Sequence, residues 1–186
     1  MNIIVLQHIK IEDPGYIKDL MLADGFNLTT IELDEGEKIP DDLSKFDGMF
    51  CMGGPMDTYM EKEYPWLIEE KKRIKEFVVD LKKPYLGFCL GCQLLGEVVG
   101  GKVVQSSPAE IGMMDINFTK AKNQDNLFSK FPDEIKHQYI LHFSKKTIFP
   151  FPISPITLPF KVFNNFIALL SFDKTMPVLV PDIKLL

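Results

Sequence analysis

The sequence predicts an α/β domain of three layers, with a mostly parallel sheet covered by helices. Three observations lead there. Short apolar runs alternate with amphipathic stretches of helical period. Two of those apolar runs end in glycine-rich segments, as strand-to-helix turns in α/β domains do. The chain of 186 residues, 46% of them hydrophobic, also suffices for one domain with a substantial core. Such alternation favours parallel strands joined by helical crossovers.

Each element follows in order. Residues 3–7 are predicted as a buried first strand. The run from Met1 through Gln7 lacks a basic leader and is too short for a signal or a membrane span. A helix over 16–23 stops at Gly25, and a second strand covers 27–32. The third strand, 48–51, reads as buried on both faces. Pro65 opens a helix reaching about residue 81, since a first-turn position loses nothing with the missing N–H. Leu67, Ile74, Val78 and Leu81 share one face of it, while Glu69, Lys71, Arg73 and Lys75 stay wet. A strand over 85–88 feeds a short helix that Val99-Gly100-Gly101 ends in a left-handed cap. Strands over 102–105 and 113–118 come next.

No internal repeat, low-complexity segment or linker interrupts the chain, so 1–186 reads as a single domain. Within it, 143–186 is atypical. Six of the thirteen prolines fall in 149–186, and a run such as Ile148-Phe149-Pro150-Phe151-Pro152-Ile153 forms neither a long helix nor a central strand. The tail reads either as a proline-rich connection at the sheet edge or as a stretch altered by a change of reading frame.

Composition narrows the function. A net charge of -5 without a basic cluster argues against a nucleic-acid surface, and no segment suits a membrane. Three cysteines, odd in number and without framework spacing, suggest a reducing compartment and hence the cytoplasm. Cys89 and Cys92 form a Cys-x-x-Cys, but a zinc site needs about four ligands and Cys51 is the one thiol left. No metal and no cofactor are expected.

The chemistry concentrates in Gly87-Phe88-Cys89-Leu90-Gly91. A Gly-x-Cys-x-Gly between strand and helix is the cysteine form of the nucleophile elbow, whose glycines let the central side chain project from the top of the sheet. The free amides of the helix start favour a thiolate and are ready to receive an oxyanion, with Leu90 supplying one. Met52-Gly53-Gly54-Pro55-Met56 also follows an apolar strand, and a second amide donor beside the nucleophile is what acyl chemistry requires. Both glycine-rich ends belong at the carboxyl edge of the sheet. Cys51 is most simply a buried small apolar residue.

Five ordered motifs give the chain a family likeness over residues 1 to about 135. They are Gly53-Gly54-Pro55-Met56-Asp57, Glu63-Tyr64-Pro65-Trp66-Leu67, Gly87-Phe88-Cys89-Leu90-Gly91-Cys92-Gln93-Leu94-Leu95, Gly100-Gly101-Lys102-Val103 and Glu110-Ile111-Gly112. The chain resembles the class I glutamine amidotransferases, most closely the small free-standing bacterial members. The resemblance implies their flavodoxin-like fold. It implies that Cys89 attacks the side-chain amide of glutamine, or of a related small amide, and that the Gly54 and Leu90 amides hold the oxyanion. Ammonia leaves a γ-glutamyl thioester, which water hydrolyses. Gly53 and Gln93 are implied to bind substrate, the alternative for Gln93 being a polar residue facing water. The ammonia acceptor would be a separate synthetase chain.

In the family a late histidine and glutamate complete the site, the histidine activating the cysteine and the glutamate orienting the histidine. The matching stretch here, Ala168-Leu169-Leu170-Ser171-Phe172-Asp173-Lys174-Thr175, holds neither. The resemblance thus implies a chain short of its histidine and glutamate, with doubtful activity. Of the three histidines, His142 falls where relatives border the glutamine pocket and is the candidate base. His137 reads as a solvated residue at a strand start, and His8 as a loop residue bordering the site. Two alternatives stay open: a non-catalytic amidotransferase-like binding protein, and a related γ-glutamyl cysteine hydrolase.

Overall fold

The computed structural model describes residues 1–105, 112–117, 123, 129, 134–139, 145–148, 160–163 and 167–170. In chain order the elements are β1 (Asn2–Gln7), α1 (Gly15–Ala23), β2 (Asn27–Glu32), β3 (Gly48–Cys51), α2 (Trp66–Lys75), β4 (Tyr85–Phe88), α3 (Leu90–Val98), β5 (Lys102–Gln105), β6 (Gly112–Asn117), β7 (Glu134–Tyr139), β8 (Lys145–Ile148), β9 (Phe160–Phe163) and β10 (Ile167–Leu170). The chain divides into two compact units. One is built from Met1–Val104 with Lys146–Asp173, the other from Gln105–Lys145 with Lys174–Leu186. In the second unit, β6 and β7 pair antiparallel, Gly112 opposite Tyr139 and Asn117 opposite Glu134.

The first unit holds a six-stranded sheet of order β2-β1-β3-β4-β10-β9. Its first four strands run parallel. β10 runs antiparallel to both β4 and β9. Strand β1 shows why this sheet is covered on both sides: all of Ile3 to Gln7 are buried. Alternation sends Ile4 and Leu6 to one face, into a cluster with Leu67 and Ile74 of α2 and Leu94 and Leu95 of α3. Ile3 and Val5 go to the other face and pack with Met21 of α1 and Met52. These are the three layers of the flavodoxin-like arrangement, with a mostly parallel sheet in the middle. Among the described residues no helix is long and apolar enough to cross a membrane.

Sequence and structure differ in four places. Pro65 lies one residue before α2, at its cap. The last turn of that helix, Glu76–Asp80, is π-wound, with the Leu81 amide donating five residues back to Glu76. Arg73 is not wet: it is 7% exposed. Its guanidinium donates to the Pro40 and Asp41 carbonyls and pairs with Glu76 at 2.6 Å, clamping the loop before β3 onto the helix. The late part of the chain also supplies β10, an interior strand between β4 and β9, where the tail read as an edge connection or as a frame-altered stretch. Ile167-Ala168-Leu169-Leu170 is a continuous apolar run without proline, which suits a strand covered on both faces.

The order β2-β1-β3-β4 puts a topological switch between β1 and β3, and ligands of open α/β sheets bind outside the carboxyl ends of the strands there. The residues at those ends are His8 after β1, Gly53 and Gly54 after β3, and Cys89 after β4.

Candidate active site

Cys89 sits between the end of β4 and the first turn of α3 with φ 48° and ψ -102°. That is a left-handed backbone on a residue other than glycine, the strained turn a nucleophile elbow needs. Two glycines make it possible. A Cβ on Gly87 would stand 2.6 Å from the Gly91 carbonyl carbon, and one on Gly91 would stand 2.2 Å from the Cys51 carbonyl oxygen. Helix α3 therefore begins in direct backbone contact with β3, and the Gly91 amide donates to the Met52 carbonyl at 3.2 Å.

The electrostatics of Cys89 differ from the expected thiolate. Burial pushes its thiol up, and the Glu12 carboxylate pushes it further; the Leu90 amide, which bonds the sulfur, pulls it down without prevailing. A Cβ on Gly53 would meet Glu12 Oε2 at 2.1 Å and Cys89 Cβ at 3.6 Å, so carboxylate and cysteine share one face of Gly53. Cys89 is still the one partly exposed thiol of the three. Cys92 is buried in the first turn of α3 and pushed up to about 12, by burial first and then by Cys89.

Beneath Gly53 lies a sealed polar cluster that joins three elements. His8 Nδ1 is 2.8 Å from the Gly53 carbonyl oxygen, and His8 Nε2 is 2.8 Å from Glu70 Oε1. The Cys51 thiol donates to the same carboxylate oxygen at 3.3 Å. A carbonyl only accepts, so Nδ1 carries a hydrogen. His8 and Glu70 are fully buried, and Trp66 stacks on the imidazole with ring centroids 5.5 Å apart and 19° between planes. Burial lowers the His8 pKa, but the charge and hydrogen bond of Glu70 and the Gly53 carbonyl outweigh it, and the net direction is upward. Cys51 goes well above the ordinary thiol range, through burial and then Glu70. The three donor atoms lie within 4.8 Å of one another, a spacing that a metal ion could bridge. The hydrogen bonds among them already use the same atoms.

The sequence profile of the class I glutamine amidotransferases matches residues 16–146. The chain belongs to the class I glutamine amidotransferase family. A glutamine amidotransferase-like protein of Salmonella typhimurium, YfeJ, is 26% identical over 133 residues, 70% of this chain and 56% of that protein. One subunit of the glutamine-hydrolysing GMP synthase of Picrophilus torridus is 34% identical over 95 residues, 51% of this chain and 46% of that relative. The crystal structure of a glutamine amidotransferase from Thermotoga maritima superposes with a TM-score of 0.71 at 27% identity, covering 81% of this chain and 63% of that one. The chain thus spans about half the length of these curated relatives.

Family membership sharpens one correction. The expectation of a class I amidotransferase chain lacking its histidine and glutamate is overturned by the His8–Glu70 pair, which is ion-paired, hydrogen-bonded and in contact with Cys51. Cysteine, histidine and glutamate, the three residue types of the triad, are clustered in this chain, though not in the late segment. There, Leu170 pairs with Tyr85 while Ile167 pairs with Phe88, so β10 runs away from the elbow as it goes. His8 stands in the loop after β1 but is fully buried, and Cys51 is a hydrogen-bond donor as well as a space filler. Glu70 was missed altogether. The signal was there: Leu67, Glu70, Ile74 and Phe77 fall on one stripe of the helix, and a carboxylate on an apolar stripe must have a partner.

The remaining candidates stand as follows. Gln93 is 8% exposed, in the first turn of α3, so the water-facing alternative does not describe it. Gly53 is buried and Gly54 half-buried beside Leu90, whose Cδ2 would lie 3.2 Å from a Cβ on Gly54. His142 lies outside the described residues. His137 lies in β7, opposite Met114.

Proposed function

We propose that this chain is an amidotransferase-type hydrolase that releases ammonia from the side-chain amide of glutamine, using Cys89 as nucleophile. The observation that carries this reading is the left-handed backbone of Cys89 at the N-terminus of α3, beside the Gly53-Gly54 strand end. The Cys89 sulfur attacks the amide carbon. The carbonyl oxygen gains charge and takes hydrogen bonds from the Gly54 and Leu90 amides, a form of stabilisation usually worth more than any other single effect. The thiol proton goes to the amide nitrogen, the C–N bond breaks and ammonia leaves. Water then splits the thioester to glutamate and restores the thiol. Cys51 is the weaker candidate, since it has no exposure and its thiol points at a carboxylate.

Similarity to one component of a multi-chain synthase supports a separate chain as the ammonia acceptor. A cytoplasmic location belongs to the same reading. Gln93 and Gly53 are proposed to line the glutamine pocket. The test is glutamate production by the purified chain, alone and with Cys89→Ser, Cys51→Ser and Gly54→Pro. Cys89→Ser is expected to abolish hydrolysis and Cys51→Ser to leave it measurable. Gly54→Pro is expected to lower it on the order of 10²-fold, because proline removes the donated amide. Hydrolysis lost in Cys51→Ser but kept in Cys89→Ser would move the nucleophile to β3.

A further inference from the structure

The buried His8–Glu70 pair hydrogen-bonds to the proposed site through the carbonyl oxygen of Gly53. That carbonyl belongs to the same peptide plane as the Gly54 amide. A trans peptide sets its C=O and N–H antiparallel, so whatever fixes the direction of one fixes the other. With the carbonyl held at 2.8 Å by His8 Nδ1, the Gly54 N–H is turned to the opposite side. Among the described residues that amide has no acceptor. Buried backbone donors are normally paired, and a half-buried one left open beside a nucleophile is available to a ligand.

We propose that His8 is a positioning residue for the oxyanion donor: its Nδ1–H locks the Gly53–Gly54 peptide so that the Gly54 amide faces the reacting carbonyl, and Glu70 locks the imidazole. The inference rests on the assignment of Gly54 as oxyanion donor. Preorganisation is what makes such donors effective, since an amide already aimed needs no reorganisation when charge develops. Glycine at both positions leaves this peptide free to rotate, so something else must fix it. The helix stripe that carries Glu70, the turn after β1 that carries His8 and the stacked ring of Trp66 together do so. Both imidazole nitrogens are engaged in this arrangement, which leaves neither to take a proton from substrate.

Two isosteric replacements separate the two ends of the ring. In His8→Asn the side-chain nitrogen reaches the Nδ1 position and keeps a donor for Gly53. In His8→Gln it reaches the Nε2 position, keeps the contact with Glu70 and leaves the Gly53 carbonyl unheld. We expect His8→Gln to lower kcat for glutamine by about 10- to 100-fold, below the loss of the whole donor, with KM nearly unchanged. The Cys89 alkylation rate should stay near wild type. His8→Asn should restore most of kcat. If His8→Asn does not fold, Glu70→Gln serves in its place. Its amide donates to Nε2 and leaves Nδ1–H on Gly53, so kcat should stay within a few-fold. Full kcat in His8→Gln, or equal losses in His8→Gln and the rescue variant, overturns the proposal. The underlying assignment fails differently: hydrolysis that survives Gly54→Pro removes Gly54 as donor whatever His8 does.

Discussion

Cys89 carries opposing influences that a single substitution resolves. Burial and the Glu12 carboxylate hold its thiol protonated, while the helix start, through the Leu90 amide, draws it the other way. Glu12→Gln removes the negative charge and keeps the shape, so the pH midpoint for iodoacetamide alkylation of Cys89 should move down. At a fixed pH below that midpoint the alkylated fraction should rise severalfold. Peptide mapping should find the label on Cys89, since Cys51 and Cys92 are buried with their thiols pushed up. An unchanged midpoint would show that Glu12 turns away from the sulfur in solution. At this scale the elbow was legible, because five residues in a row specify it. The opposing charge was not. Glu12 comes from the loop after β1, and 77 positions of sequence hide a contact that the packing of three strand ends creates.

At the scale of elements, the elbow depends on how closely α3 approaches the sheet. Gly91→Ala adds a methyl group where the Cys51 carbonyl stands 2.2 Å away. Alanine favours a helix by up to about 1 kcal/mol over glycine, but a backbone overlap of this size must push α3 off β3. Overpacking of this kind costs about 1–3 kcal/mol. The urea midpoint of Gly91→Ala should therefore fall despite the better helix former, and glutamine hydrolysis should fall further, since the shift moves the Leu90 amide. A rise in the midpoint would mean that α3 stands farther from the sheet. Most elements were readable because each carries its own period and punctuation: β1 through β4, α1 and α3 lie where apolar runs and glycines put them. Two features were not. Arg73 counts as polar in any periodicity, so its position reads as wet until partners from elsewhere meet it. β10 is four apolar residues among prolines, and nothing local says that it inserts beside β4.

At the scale of the whole molecule, the buried pair ties stability to pH. The His8 pKa lies above its unfolded value: burial opposes this, but Glu70 and the Gly53 carbonyl prevail. The stabilisation from the charged ring is therefore full below the unfolded value near 6.5 and is lost as pH rises through the folded value. Urea midpoints should decline with pH across that window, and Glu70→Gln should remove the decline. A flat wild-type profile would show that folding does not raise the His8 pKa. The same pair gives the folded chain an optical signature. Trp66 is the only tryptophan, and its indole lies flat against the His8 ring. A cation over an indole face is attracted to it and, once the indole is excited, takes up its electron. The ultraviolet emission of the native protein should then be dim while that imidazole is charged and brighten when it is neutral. The proton at the base of the site can be followed in real time, without a label and without a substrate.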